Sequence, residues 1–411
     1  MTGIRLGQLM EEASQHLPDV DLADAAWAAA VEQRARHRRA VLRGVAGVAA
    51  AALAVGVLVT RDQPEADRVT PAPAPATSPS PVATDRATDG TLLVQAPKAA
   101  DEARLPLLAT HLPAEIALDR APTPLAQLGQ GALTRINAAY LRQDAGGSYR
   151  PVLLAQDGRL VDPGLSLRDT TDAEGNAAAP LDRAAIAQDG SAIAFAQPGE
   201  VVLFEIPGAA ARRIAVPDPT LQRVGWTAGD SGLVARSDTQ SWFVDVGTGT
   251  ATRLSGRAAP SHYEIVAGGG PGGSPRLLTW DAFGRGTGQE VLPAPLDGVY
   301  TNTISNIVGW AAAGVYLNDP GSTREYQGIL AVQADKPSSR RLLVFGDATA
   351  RTKGCCVPLG WLSGHQLLFQ SSGSQGSWVL VWDITSGQVS RVSRVAGGAP
   401  GGASAVAASF P

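Results

Sequence analysis

Beyond residue 90 the sequence predicts an all-β propeller of about seven blades, preceded by a short helical segment and one membrane-spanning helix. Three observations carry this expectation. A basic flank, an uncharged apolar run and a proline-rich stretch follow one another between residues 31 and 90. After residue 90 the chain breaks into short apolar runs separated by Gly- and Asp-rich turns, with almost no helical periodicity. One strand–turn–strand pattern then recurs at intervals of about 40–50 residues, the spacing of propeller blades.

Residues 1–43 read as two short helices. Leu6, Leu9, Met10, Ala13 and Leu17 share one helical face, and Pro18 ends that helix. Asp21 can cap a second helix that runs through Trp27 and Val31 into a basic cluster. The segment suits either an amphipathic helix on the inner leaflet or a docking hairpin for a cytoplasmic partner. It holds no Cys/His cluster, so a zinc module is not supported.

Arg34, Arg36, Arg38, Arg39 and Arg43 flank an uncharged run at 44–60. Arginine-rich flanks stay on the cytoplasmic side, so these five residues set the topology with the N-terminus inside. The run is 17 residues long, at the lower limit for a spanning helix, and Arg43 can snorkel to extend it. Arg38 and Arg39 resemble a twin-arginine export motif, but a 43-residue leader is long for a cleaved signal, and proline interrupts the later small-residue triplets. An uncleaved anchor in a bacterial cytoplasmic membrane is therefore expected. No cysteine lies near the span to carry a lipid. Residues 61–90 follow as a linker, with Pro64, Pro71, Pro73, Pro75, Pro79 and Pro81 keeping it extended.

The repeat defines residues 91–411 as the propeller domain. RVGW (223–226) precedes the strands LVAR (233–236) and WFVD (242–245), and PLGW (358–361) precedes QLLF (366–369) and VLVWD (379–383). IVGW (307–310) opens a third copy, and AQDGSAIAF (187–195) with VVLFEIPG (201–208) forms a fourth. Trp226, Trp310 and Trp361 then occupy one repeat position and, with Trp382, are expected to pack blades together rather than stack on sugars. A last strand near 404–410 is expected to close the ring.

VWDITSG (381–387) resembles the end of a tryptophan–aspartate repeat blade, and Trp280-Asp281 is a weaker echo. The upstream Gly-His pair of such blades is approximated only by Gly364-His365. The whole layout also resembles a group of uncharacterised actinobacterial single-pass membrane proteins that carry an extracytoplasmic propeller. The scarcity of lysine agrees, because only three of the 34 basic residues are lysine, as GC-rich codons favour. Some of that group are thought to work beside extracytoplasmic-function sigma factors, so the resemblance implies a cytoplasmic regulatory partner.

No motif points to catalysis. GDSG (229–232) resembles a serine-protease nucleophile segment, yet it lacks the residues that follow there and sits in a hairpin turn. The glycine loops at 268–273 and 284–288 lack the strand–turn–helix context of a phosphate cradle. His111, His262 and His365 are widely separated, so no metal site and no cofactor are expected. The net charge of −4, with no basic stripe outside the arginine cluster, argues against nucleic acid. The expected role is a sensor or scaffold that binds an envelope ligand or protein. The alternative is an anchored hydrolase using acids on the propeller's end loops.

Cys355 and Cys356 are the only thiols and are neighbours. In an oxidising compartment they can bond within the monomer only to each other, which makes a vicinal disulfide the expected state, as a rigid turn rather than a redox centre. Two small buried hydrophobes entering a strand are the other reading.

Overall fold

Short apolar runs between glycine- and aspartate-rich turns can satisfy their backbone only by pairing with their chain neighbours. They do so as separate antiparallel sheets set around a common axis. The structure, a computed structural model, describes residues 84–86 and 90–397 apart from 130, 145, 173–174, 228–229, 269–274, 282–283, 293–295, 302, 307, 319–324, 347–350, 352–354 and 375. All of them belong to the unit Pro79–Pro411. The expected helical segment 1–43 with its five arginines, the span 44–60, most of the linker and the closing strand at 404–410 lie outside the described residues. Among the described residues no helix is long and apolar enough to cross a membrane.

Six blades are formed. Blade 1 contains Ile136–Gln143, Tyr149–Ala155 and Leu160–Asp162. Blade 2 contains Ala192–Gln197, Glu200–Glu205 and Ala210–Ala215, with 184–187 bonded along its inner edge. Blade 3 contains Arg223–Trp226, Leu233–Arg236, Ser241–Asp245 and Thr250–Arg253. Blade 4 has Tyr263–Val266, Arg276–Trp280 and the exposed outer strand Gly286–Val291. Blade 5 has an inner strand broken into Leu296–Val299 and Ile304–Ser305, then Trp310–Asn318, Glu325–Gln333 and Arg340–Phe345. Blade 6 is Val357–Trp361, Gln366–Gly373, Gly376–Asp383 and Val389–Ala396.

The count is six rather than the seven that the spacing favours, because residues 91–118 build no blade. Leu92–Gln95 lies parallel against the outer strand of blade 5, and Glu115–Ala117 lies parallel against the outer strand of blade 6. A 3-10 turn, Ala99–Arg104, joins them. This belt covers two sheet edges that would otherwise expose unpaired backbone. Blade 6 also packs on blade 1 directly, with Ile116, Tyr140, Val152, Leu368, Val381 and Val392 in one apolar cluster. Within the described residues, ring closure therefore rests on the belt and this cluster.

The repeat copies fall on blades 2, 3 and 6, but Trp310 does not share the position of Trp226 and Trp361. Those two end inner strands, whereas Trp310 opens the second strand of blade 5, whose inner strand is the short Ile304–Ser305. The Trp280-Asp281 echo is likewise out of phase. Trp280 ends the second strand of its blade, whereas Asp383 ends the third strand of blade 6. Gly387, at φ 79°, allows the turn that follows Asp383, whose carboxylate accepts from the N–H groups of Thr385 and Ser386.

Apolar clusters fill five of the six seams between blades. They are rich in Val, Leu, Ile and Ala that run buried along whole strands, as sheets covered on both faces require. No such cluster crosses the seam between blades 3 and 4 among the described residues. Small groups meet there, with Gly284 pressed so closely on Val234 that an added Cβ would lie 2.7 Å away. An ion pair, Arg236–Glu264, crosses it instead.

Candidate ligand pocket at one end of the propeller

Every blade is threaded from its inner strand outward, so the beginnings of the inner strands gather at one end of the central axis. Asp182 and Arg183 precede the inner segment of blade 2, Arg223 begins blade 3, Glu264 lies early in blade 4, and Cys355–Cys356 precede blade 6. Tyr300 stands at the break in the inner strand of blade 5. Burial draws the Arg183 guanidinium down to about 10, with Asp182 and Tyr300 acting against that and Arg223 adding to it. Groups from blades 2, 3 and 5 therefore share one electrostatic neighbourhood.

Tyr300 links this neighbourhood to the cysteines. Its hydroxyl donates to the Cys355 carbonyl and accepts from the Cys356 N–H at 3.2 Å. Gly314 makes room for the ring, since a Cβ there would lie 2.6 Å from Tyr300. Burial pushes the Tyr300 hydroxyl well above its ordinary pKa, so it stays protonated. Cys355 and Cys356 are joined to each other and are 4% and 0% exposed. The Ser372 N–H points at the Cys355 sulfur, 3.4 Å away. The pair is thus walled in by protein rather than presented to solvent.

At the same end, a cavity of about 280 Å³ opens beside blade 3 and reaches the connection to blade 4. Arg223, Arg236 and Arg257 line it together with Gln222, Ser237, Asp238, Thr239, Gln240, Ser241 and Gly256. Arg223 and Arg236 are directly opposed on neighbouring strands. Arg236 donates through Nη1 to Glu264 Oε1 at 3.1 Å and to the Ala258 carbonyl at 3.2 Å. Arg257 grips both oxygens of the same carboxylate, Nη2 to Oε1 at 2.7 Å and Nε to Oε2 at 3.3 Å. Burial works against the charged form of Glu264, but the two guanidiniums outweigh it and hold the carboxyl below its ordinary value.

The opposite end carries aspartate turns. Both oxygens of Asp230 accept from the Gln188 N–H of blade 2, at 3.1 and 2.9 Å. Asp189 accepts from the Ser191 N–H. Ser231, of the protease-like segment, is hydrogen-bonded to Thr227 within its own turn. His262 faces the Trp280 carbonyl at 3.5 Å, and His365 bonds through its backbone to Ser363. Among the described residues no group of His, Cys, Asp and Glu is arranged to hold a metal.

Trp382 and Trp310 lie in the core between blades 5 and 6, with Trp361 at its margin. Trp226 lies between blades 2 and 3 and donates through Nε1 to the Ala185 carbonyl at 3.0 Å. The arginines of the cavity are the residues sequence reasoning passed over. Arg223 and Arg236 stood inside the strands that defined the repeat. The usable signal was a fully buried LVAR strand that ends in a charge.

No protein-family model and no curated protein matches the chain. Among solved structures it is similar to TolB from Acinetobacter baumannii, at 13% identity over 69% of this chain and 67% of that one, with a TM-score of 0.44. A putative TolB from Agrobacterium tumefaciens is 12% identical over 62% of this chain and 88% of that one, at 0.35. A functionally unknown protein from Desulfotomaculum acetoxidans is 14% identical over 62% and 78%, at 0.36. Likeness at this level carries no argument about activity, and the propeller assignment rests on the strand pairing itself.

Proposed function

We propose that the chain is a membrane-anchored binding propeller of the bacterial envelope, acting as a sensor or scaffold. Residues 1–43 lie inside, 44–60 cross the membrane, and the propeller stands outside on its proline-rich linker. The observation that carries the binding role is the polar cavity at one end of blade 3, lined by blade 3 and its connection to blade 4. Arg236 and Arg257 on its wall are held by the buried Glu264 of blade 4. Cavities with a few fixed polar groups are where small ligands bind. The long segment before the span would engage a cytoplasmic regulatory protein such as a sigma factor, a part of the proposal supported by layout alone.

Two measurements test it on the full-length chain in cells. A reporter active only in the cytoplasm, fused after Pro411, should be silent, and activity there would sink the topology. A photo-crosslinker at Thr239, on the cavity, should capture an envelope component that the same probe at Thr385, on the opposite end, does not. Equal capture at both positions would remove the cavity from the proposal.

A second reading, an anchored hydrolase, has one observation on its side. Asp189 and Asp230 are end-loop acids whose carboxyls are moved in opposite directions. Such divergence is characteristic of acid–base pairs. Here both carboxylates are already bonded to turn N–H groups, which favours the binding reading.

A further inference from the structure

We propose that the Cys355–Cys356 disulfide is a redox latch for the belt. The oxidised pair keeps residues 91–118 seated against blades 5 and 6, and reduction by a dithiol releases them. This departs from the rigid turn that the sequence suggests for the two residues. It goes beyond the binding role and does not depend on the cavity beside blade 3.

The first argument is what covers the sulfurs. Val94 and Ala96 of the belt share one apolar cluster with Cys355 and Cys356, and Leu105 packs at its margin. Both cysteines are buried. The seated belt is therefore part of the wall that shields them.

The second argument is the polar connection from the belt to the sulfurs. Arg351 donates to two belt acceptors, the Pro97 carbonyl at 2.7 Å and Glu102 Oε1 at 2.6 Å. The same Nη1 lies 3.7 Å from the Cys356 sulfur. Ser371 donates to Glu102 Oε1 at 2.7 Å and lies 3.9 Å from the Cys355 sulfur. Each sulfur thus sits beside one of the two side chains that hold Glu102. A change at the disulfide is passed first to the groups that fasten the belt.

The third argument is what reduction does there. Two unbonded thiols cannot stay as close as bonded sulfurs, and each gains a hydrogen. A close-packed site resists the added volume, and Arg351 and Ser371 are the groups in its way. A Cys356 thiolate would also compete with Glu102 for the Arg351 guanidinium.

In the exchange, a thiolate of the dithiol attacks the Cys355 sulfur, and Cys356 leaves as a thiolate toward Arg351, whose charge favours it. The second thiol of the reductant attacks its own sulfur in the mixed disulfide and frees Cys355. Two electrons and two protons pass to the pair, and the reductant departs as a disulfide. Because both sulfurs are buried, attack requires the belt to lift, and the reduced pair then hinders its return. By linkage each event favours the other. In the anchored arrangement proposed above, a released belt would lengthen the tether of the propeller.

The test uses the full chain in detergent, purified in the oxidised state and treated with dithiothreitol while folded. Alkylation and intact-mass measurement count the thiols. Limited trypsin digestion reports the belt through Lys98 and Arg104, both exposed. Reduction should yield two alkylated thiols and speed cutting at Lys98 and Arg104 by about tenfold or more. Cutting at Arg253, on the outer strand of blade 3, should not change. In the double variant Cys355→Ala, Cys356→Ala, dithiothreitol should leave belt cutting unaltered. Glu102→Gln gives the reciprocal readout if the cysteine variant fails to fold, because its disulfide should be reduced about tenfold faster than in the wild type. Two thiols with unchanged belt cutting, or thiols that form only after denaturation, would overturn the latch. So would equal acceleration at Arg253, which marks loosening of the whole domain, or a wild-type reduction rate in Glu102→Gln.

Discussion

Two buried arginine–glutamate pairs hold this propeller together, and they differ in what surrounds them. Arg351–Glu102 joins the belt to the seam of blades 5 and 6. Its side chains are 1% and 3% exposed. Arg351 also donates to Ser371 and to the Pro97 carbonyl, and its guanidinium lies 4.8 Å from the centre of the Phe345 ring. Ser371 completes the set by donating to the same Glu102 oxygen at 2.7 Å. Arg236–Glu264 crosses the seam of blades 3 and 4, where a second arginine on the same carboxylate is 57% exposed and a cavity adjoins. The chemistry of the two pairs is the same. An apolar surround makes the first a strut, whereas the second carries a half-exposed extra arginine and open space at its side.

That contrast breaks most visibly at Glu102. Glu102→Ala takes from the buried Arg351 guanidinium, which lies over the Phe345 ring, the carboxylate it pairs with. The expected loss is about 3–5 kcal/mol of stability, because one partner of a buried pair has been removed. Chemical denaturation of the full chain measures it. Limited proteolysis should cut near Lys98 and Arg104 as the belt detaches. A loss under about 1 kcal/mol would mean that the pair is solvated and not a strut.

Glu264→Gln probes the second pair and should have a smaller effect, about 2–3 kcal/mol, since the cavity allows water to reach the two arginines. The pH dependence is the sharper readout. The folded Glu264 carboxyl is held below its ordinary value near 4.5, so its stabilisation is present above that value. It is lost as pH falls through the lower folded value. The wild type should therefore lose an acid-side increment of stability that Glu264→Gln lacks. Parallel melting curves for the two proteins between pH 6 and about pH 3 would contradict this.

Tyr300→Phe comes next, at about 1–2 kcal/mol. The ring still fills the space kept by Gly314, but the Cys355 carbonyl loses its donor and the Cys356 N–H its acceptor. Equilibrium unfolding of the variant checks this, and an unchanged midpoint would mean that water replaces the hydroxyl without cost.

What could be read from the residues follows from how local each signal is. The strands of blades 2, 3 and 6 were legible because each is a hairpin whose partners lie within a few residues and whose turns carry Gly or Asp. The adjacency of Cys355 and Cys356 was equally local. The belt was not legible. Leu92 pairs with Arg341 and Glu115 with Arg394, and no period encodes a contact across so much chain. The same blindness added a seventh blade and moved Trp310 into a position it does not hold. The cavity was missed for the same reason, because Arg236 meets Glu264 only after two blades have formed and packed.

The smallest effect sharpens the contrast from the other end of the propeller. Asp230 is also a carboxylate between two blades, but it bonds to the Gln188 N–H rather than to a guanidinium. Burial raises its carboxyl above the ordinary value, the Gln188 bond opposes that, and the Asp189 charge adds to it. The sign is therefore opposite to that of Glu264. An acid whose folded pKa is raised favours folding most fully below its ordinary value near 3.8, and that contribution is lost as pH rises through the folded value. At neutral pH the charge is a burden on the fold. Asp230→Asn removes the charge, keeps an oxygen that accepts from Gln188, and suits the left-handed conformation at φ 56°. Its stability at pH 7 should lie within about 0.5 kcal/mol of the wild type, on the favourable side. That advantage should shrink as pH falls toward 4, while the acid-side loss governed by Glu264 grows. A destabilisation beyond about 1 kcal/mol at pH 7 would show that the Asp230 charge itself is needed between blades 2 and 3. The distinction between carboxylates that need a guanidinium and those that need only a backbone donor would then fail.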